Sequence, residues 1–254
     1  FIAVEPKSEM FFKPLISARE FLNGQKRWCL WLVDAKPAEL RAMPNVLKRI
    51  EAIKMFRLDS TRKQTVEKAE TPMLFGEIRD FGETYIVVPA HTSENRKYIP
   101  MSLFDTKSIA NNSCMVIPNG SLYHFGMLMS SLNMAWVNSV CGRLESRLRY
   151  SKDIVYNNFP WAENPTEKQI AKIEECAQAV LDARQVFEGS SLADLYDPIT
   201  MPPALVKAHN ALDRAVDAAY RSTPFTTATS RIEFLFDLYE KYNATLFPEC
   251  KKKK

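Results

Sequence analysis

The stretch GRLESRLRYSKDIVYNNFPW, residues 142–161, decides how the rest of the chain is read, because alternating charges in it give way to an aromatic, proline-bounded hinge. Arg143, Glu145, Arg147 and Arg149 stand two residues apart. In an extended conformation all four point to one side, while Leu144, Ser146 and Leu148 point to the other. Guanidinium forks suit guanine edges and phosphates, and a carboxylate accepts from the cytosine amino group. This comb reads as a nucleic-acid reader, or as a solvated edge strand whose charges pair with a neighbouring strand. On the comb alone both readings stay open.

Working outward, the 254 residues are 46% hydrophobic and 25% charged, which excludes a disordered chain and leaves room for one domain or two. Cys29, Cys114, Cys141, Cys176 and Cys250 are widely spaced and never form Cys-x-x-Cys, so neither a disulfide framework nor a zinc site is indicated. A reducing cytoplasm fits that usage. No run approaches the roughly 18 apolar residues of a membrane helix, so no membrane partner is expected. The opening FIAVEP has no initiator Met and reads as the edge of a fragment from a longer chain.

The net charge of +4 hides an asymmetry. Residues 1–157 carry 22 Lys and Arg against 16 Asp and Glu, whereas residues 158–254 carry 12 against 14, and four of those 12 are Lys251–Lys254. Only the first part therefore reads as a polyanion-binding body.

Ser17 predicts an N-cap for a short helix ending at Gly24, and Lys26–Val33 a buried strand. Pro37 opens a helical region in which Val46, Leu47, Ile50, Ile53, Met55 and Phe56 form an apolar stripe, with Lys48, Arg49, Lys54 and Arg57 mostly off it. A second helical stretch runs to about Ala69. Beyond Pro72 the pattern turns to short strands at Thr84–Val88, Lys97–Leu103 and Cys114–Ile117. Between the first two lies the polar loop PAHTSENRKYIP, residues 89–100, of the composition that carries recognition chemistry. Ser121–Cys141 reads as one long core helix with a structural His124. After Trp161 the periodicity is helical: about Pro165–Phe187, Pro203–Tyr220 and Ser230–Phe247, a small acidic bundle. The expectation is an α+β chain: a mixed, β-rich domain with packed helices over 1–157, then an all-α domain over 158–254.

Catalytic motifs are missing. The seven glycines are isolated, so there is no Gly-x-Gly turn or phosphate loop. Asn158-Phe-Pro-Trp161 superficially resembles the Asn-Pro-Pro-Tyr signature of amino-methylating enzymes, but Phe159 replaces a proline, and a rigid exit from the first domain is the favoured reading. Asp34-Ala-Lys36 with Glu20 is a short nuclease-like match of the kind that arises by chance. His91, His124 and His209 have no metal spacing. The residues describe a binding module without catalytic or metal-ligating residues of its own.

With loop and comb together, the chain resembles the C-terminal part of the MmeI-like family of DNA adenine-N6 methyltransferases found in single-chain restriction-modification proteins. The matching landmarks are KRWCLW (26–31), PAHTSENRKYIP (89–100), YHFGMLMS (123–130), GRLESRLRYS (142–151) and VYNNFPW (155–161), with Tyr196-Asp-Pro and Leu205–Tyr220 in the tail. The resemblance implies a target recognition domain followed by a helical domain that helps to hold double-stranded DNA. It also implies an upstream methyltransferase domain that uses S-adenosylmethionine, and a magnesium-dependent nuclease before that; this fragment itself holds no cofactor. Glu145 and Arg147 fall at the positions that choose the base pair beside the target adenine, and an acid with Arg fits C·G. Ala90, His91 and Thr92 with Asn112 and Ser113 fall near other base-reading positions. Ser93, Arg96 and Lys97, with Arg143 and Arg149, are the expected backbone contacts. The competing reading is a protein-interaction module with no direct DNA contact, and a third is an independent nuclease.

Overall fold

The computed structural model describes residues 1–79 and 81–246, the side chains of residues 245 and 246 excepted. In chain order the elements are β1 (Phe12–Ile16), α1 (Ala18–Asn23), β2 (Trp28–Leu30), α2 (Pro37–Arg41), α3 (Pro44–Leu58), α4 (Lys63–Glu67), β3 (Thr84–Pro89), β4 (His91–Thr92) and β5 (Ser102–Asp105). There follow β6 (Ile109–Ala110), β7 (Cys114–Pro118), α5 (Leu122–Leu128), α6 (Ser131–Val140), β8 (Gly142–Leu144), β9 (Arg147–Arg149), α7 (Glu167–Gln185), α8 (Leu192–Leu195), α9 (Pro203–Tyr220) and α10 (Ala228–Leu246). Short strands and long helices together make an α+β fold. Two compact units result: residues 1–15, 26–80 and 107–109 form one, and residues 16–25, 81–106 and 110–254 the other. The division expected near 157 follows charge and periodicity, whereas compactness draws its line elsewhere.

In the first unit Phe11, Leu32, Leu40, Met43 and Val46 make a small core. The buried carboxylate of Glu5 accepts from the N–H groups of Asn45 and Val46, both at 2.9 Å, satisfying free donors at the start of α3. Arg57 donates to the carbonyls of Lys68, Thr71 and Leu74 at 2.7, 3.0 and 2.7 Å, so part of the basic face is a structural staple. Two expectations are corrected here. Of the apolar stripe on α3 only Val46 is buried, and Phe56 is 76% exposed, because the unit's core is too small to cover a whole helix face. The strand expected over 26–33 shrinks to Trp28–Leu30, which pairs with β1 and leaves Trp28 exposed.

The second unit is built around β3, which pairs antiparallel with both β5 and β7. As a central strand it is buried on both faces, and alternation splits its side chains between two clusters. Ile86 and Val88 enter the large core, while Tyr85 and Val87 enter a smaller one with Phe21 and Cys114. The large core runs without interruption from Ile86 through Trp136 and Phe159 to Ile173, Leu205, Leu212 and Leu235, so α7, α9 and α10 share it with α5 and α6. Ser17 caps α1 and Gly24 closes it at φ 64°, as the sequence predicts. The long helix expected over 121–141 is two: Ser130 interrupts it, donating to the Met127 carbonyl at 2.7 Å and capping the Asn133 N–H at 3.2 Å. The strand expected from Lys97 begins only at Ser102, because Pro100 has no N–H for a ladder; Tyr98, Ile99 and Met101 are nevertheless buried. α10 starts two residues before the expected Ser230, and Phe247, Cys250 and Lys251–Lys254 lie outside the described residues.

Candidate nucleic-acid interface

The comb folds back on itself. β8 and β9 form a hairpin in which Arg143 faces Leu148 and Leu144 faces Arg147, with Glu145 and Ser146 at the turn. The extended reading, with four charges on one side, is therefore corrected. Across a hairpin, opposed residues share a face, which puts Arg147, Arg149 and Leu144 on one side and Arg143 with the buried Leu148 on the other. Turning the chain within two residues requires a left-handed backbone, and Glu145 adopts it at φ 57°. For a residue with a side chain this conformation costs about 1 kcal/mol or more, and such strain gathers at functional sites.

Glu145 and Arg147 stand exposed at the tip, paired with each other through Arg147 Nη2 and Glu145 Oε2 at 2.7 Å; their side chains are 77% and 50% exposed. Arg143 spans from the hairpin to the polar loop, donating to Glu94 at 3.0 Å and to the Ser146 carbonyl at 3.1 Å. Arg149 is exposed, and its carbonyl accepts from the Cys141 thiol at 2.9 Å.

β9 also pairs with β4, placing His91 opposite Arg149 and Thr92 opposite Leu148. Ala90 links the remaining segment: its N–H donates to the Ser113 carbonyl, and its own carbonyl accepts from the Tyr150 N–H, both at 3.0 Å. Three stretches far apart in sequence thus meet on one side of the second unit. Their exposure differs. Asn112 is exposed, while Ala90, His91 and Ser113 are half-buried. The Ser113 hydroxyl donates to Asn111 at 2.6 Å and accepts from the Ala18 N–H at 2.8 Å, so it is already engaged in holding α1. Thr92 is 3% exposed, and its hydroxyl accepts from Arg96 at 3.2 Å, which gives both a role in shaping the loop. Burial lowers the pKa of Arg96, with Asp197 opposing. Ser93 caps the Asn95 N–H at 3.3 Å, and Lys97 is exposed, its ammonium 5.2 Å from the Tyr98 ring.

The far end of the loop is fixed by side chains that no local sequence signal marks. Arg184 donates to the Met101 carbonyl at 2.7 Å and to the Tyr196 hydroxyl through Nε at 2.8 Å and Nη2 at 2.5 Å. Accepting from Arg184, that hydroxyl lies 2.8 Å from His209 Nε2, close enough for a hydrogen bond. Burial, with Arg184 and Lys97 nearby, pushes the His209 pKa well down. Three of the segments involved lie in the acidic half of the sequence.

The other candidates have structural occupations. Asn158 donates to the carbonyls of Asp153 and Ile154 at 2.7 and 3.1 Å; Phe159 is buried, and the carbonyls of Pro160 and Trp161 accept from Tyr220 and Tyr242, each at 2.8 Å. Glu20 completes the cap of α1, and the Lys36 N–H donates to Glu39 at 2.7 Å. His124 belongs to the cap at Ser121, and burial lowers its pKa. Among the described residues no group of His, Cys, Asp and Glu could hold a metal ion, and no helix is long and apolar enough to cross a membrane.

With this geometry in place, likeness to known proteins is specific. Residues 1–163 match the family described as the MmeI target recognition domain, and residues 165–247 the MmeI C-terminal domain. The chain is 41% identical over 236 residues to DNA methyltransferase A of Bacillus subtilis (strain 168), covering 93% of this chain and 27% of that protein. A solved structure of the Type IIL restriction-modification enzyme MmeI in complex with DNA superposes with a TM-score of 0.90 at 46% identity, covering 96% of this chain and 32% of the other. The chain therefore spans about a third or less of these relatives' length. It belongs to the MmeI family of restriction-modification methyltransferases, and its residues correspond to that family's target recognition and C-terminal domains.

Proposed function

We propose that this chain is the sequence-specific DNA recognition part of an S-adenosylmethionine-dependent adenine-N6 methyltransferase of the bacterial cytoplasm, reading base edges in the major groove. The observation that carries the proposal is the exposed hairpin tip, where a strained Glu145 and its partner Arg147 project together and Arg143 and Arg149 flank them. At a C·G pair the Glu145 carboxylate accepts from the cytosine amino group and Arg147 donates to guanine O6 and N7. Opening the mutual ion pair to do so costs about 0–1 kcal/mol at such exposure, less than the roughly 1–3 kcal/mol of discrimination from one good base contact.

Methyl transfer, the cofactor and any magnesium-dependent cleavage belong in this reading to the rest of the parent chain, into whose active site the target adenine is flipped. The decisive experiment exchanges Glu145→Lys together with Arg147→Asp in the full-length parent, followed by methylome sequencing. A switch of one base pair in the methylated motif is expected. An unchanged motif with full activity removes the assignment.

A further inference from the structure

The charge count confines polyanion binding to the first 157 residues, yet α9 lines a groove that the count does not anticipate. This groove, of about 460 Å³, lies in the second unit and is bordered by Lys97, Asp213, Arg214, Asp217, Arg221 and Arg231. Both carboxylates are satisfied from within. Asp217 receives Arg231 Nε and Nη2 at 3.1 and 2.6 Å, with both side chains largely buried. Asp213 is buried and accepts from the Tyr98 hydroxyl and the Ser131 N–H, each at 2.7 Å.

The cations are not neutralised in the same way. Lys97 and Arg214 are exposed and form no ion pair among the described residues. Arg221 sits over the Phe225 ring, its guanidinium carbon 3.6 Å from the centroid, donating to the carbonyls of Thr223 and Pro224 at 2.8 and 3.3 Å, and those neutral acceptors leave its charge in place. Arg231 neutralises Asp217, while the neutral donors on Asp213 leave its charge in place beside Lys97, so four cations face two carboxylates and the groove keeps a net charge of +2. Arg221 also occupies the face of Phe225, so that ring offers no stacking platform for a base.

We infer that this groove is a second DNA contact, taking a backbone phosphodiester away from the base-reading hairpin, with Lys97 and Arg214 as its charged ligands and Arg221 as an oriented donor. It rests on the DNA-recognition reading, adds Arg214 and Arg221 from the acidic half, and contributes register and affinity rather than sequence choice. The polar loop supplies Lys97, so one segment ends at the hairpin side and at the groove.

The test measures DNA affinity against salt for the full-length parent, with Lys97→Gln, Arg214→Gln, the double variant and Arg214→Lys. For duplex DNA, taking away one phosphate-neutralising cation lowers the slope of log K against log salt by about 0.9, so the double variant falls by about one to two while Arg214→Lys recovers most of its share. Affinity drops equally for duplexes with and without the motif, and the methylated motif stays the same. An unchanged slope in the folded double variant overturns the inference and leaves the groove to an acidic protein segment; a changed motif overturns it as well. The exchange at Glu145 and Arg147 is read separately by motif, so failure of the base-reading assignment together with a reduced salt slope leaves the groove standing.

Discussion

Tyr98 donates its phenolic hydrogen to Asp213 at 2.7 Å, joining the end of the polar loop to α9 across 115 residues of sequence, and its ring stacks on His209 at 4.0 Å. Both partners are buried, and burial pushes the pKa of Tyr98 upward and that of Asp213 upward as well. The helices after Trp161 thereby hold the end of the polar loop in place.

Tyr98→Phe keeps the ring and removes one of the two donors on a buried carboxylate. A loss of about 1–3 kcal/mol is expected from leaving that acceptor short of a partner, measured by denaturant unfolding. In the full-length parent, methylome sequencing should show relaxed choice of sequence if the loop shifts with it.

Stability should fall with acid because of His209. Its folded pKa is depressed by burial, so the unfolded chain takes up a proton near the ordinary imidazole value of about 6.5 while the native state does not. The contribution is present above that value and is lost as pH falls through it; His124, lowered by its own burial, acts in the same direction. Asp213 has the opposite sign, since its raised pKa favours the native state at low pH and that advantage fades as pH rises above its ordinary value. Thermal midpoints between pH 7 and pH 5, in round numbers, should decline for the native chain and decline less for His209→Gln.

Gly126 lets α5 pack tightly against α7. A Cβ placed there would lie 2.7 Å from Ile173 Cγ2 and 3.2 Å from Ala177 Cβ. Gly126→Ala should therefore destabilise by about 1–3 kcal/mol through overpacking, outweighing the gain of about 1 kcal/mol in helix propensity. A raised unfolding midpoint would contradict this helix spacing.

Glu145→Gly should separate stability from recognition. Glycine adopts the left-handed turn without the steric penalty, which favours the folded hairpin by up to about 1 kcal/mol. The same change takes away the carboxylate that the proposed reading sets against the cytosine amino group. Raised stability with relaxed choice at one base pair is expected, read by unfolding and by methylome sequencing of the parent.

Local signals made α1, α7 and α9 legible in the sequence: a serine or threonine cap, a closing glycine or an opening proline, and apolar residues at helical spacing act within a turn or two of themselves. Short strand-like segments followed by helical periodicity likewise announced an α+β chain, and the landmark stretches announced its family. Tertiary structure decided what those signals cannot reach. Alternating charges fit one extended strand as well as a hairpin, and pairing of β9 with both β8 and β4 settled which residues share a face. Net charge averages over a segment, whereas the groove on α9 depends on where each carboxylate finds its donor, and Asp213 finds one in Tyr98. Partners so far apart in sequence leave no local trace, because what joins them is the closing of the fold.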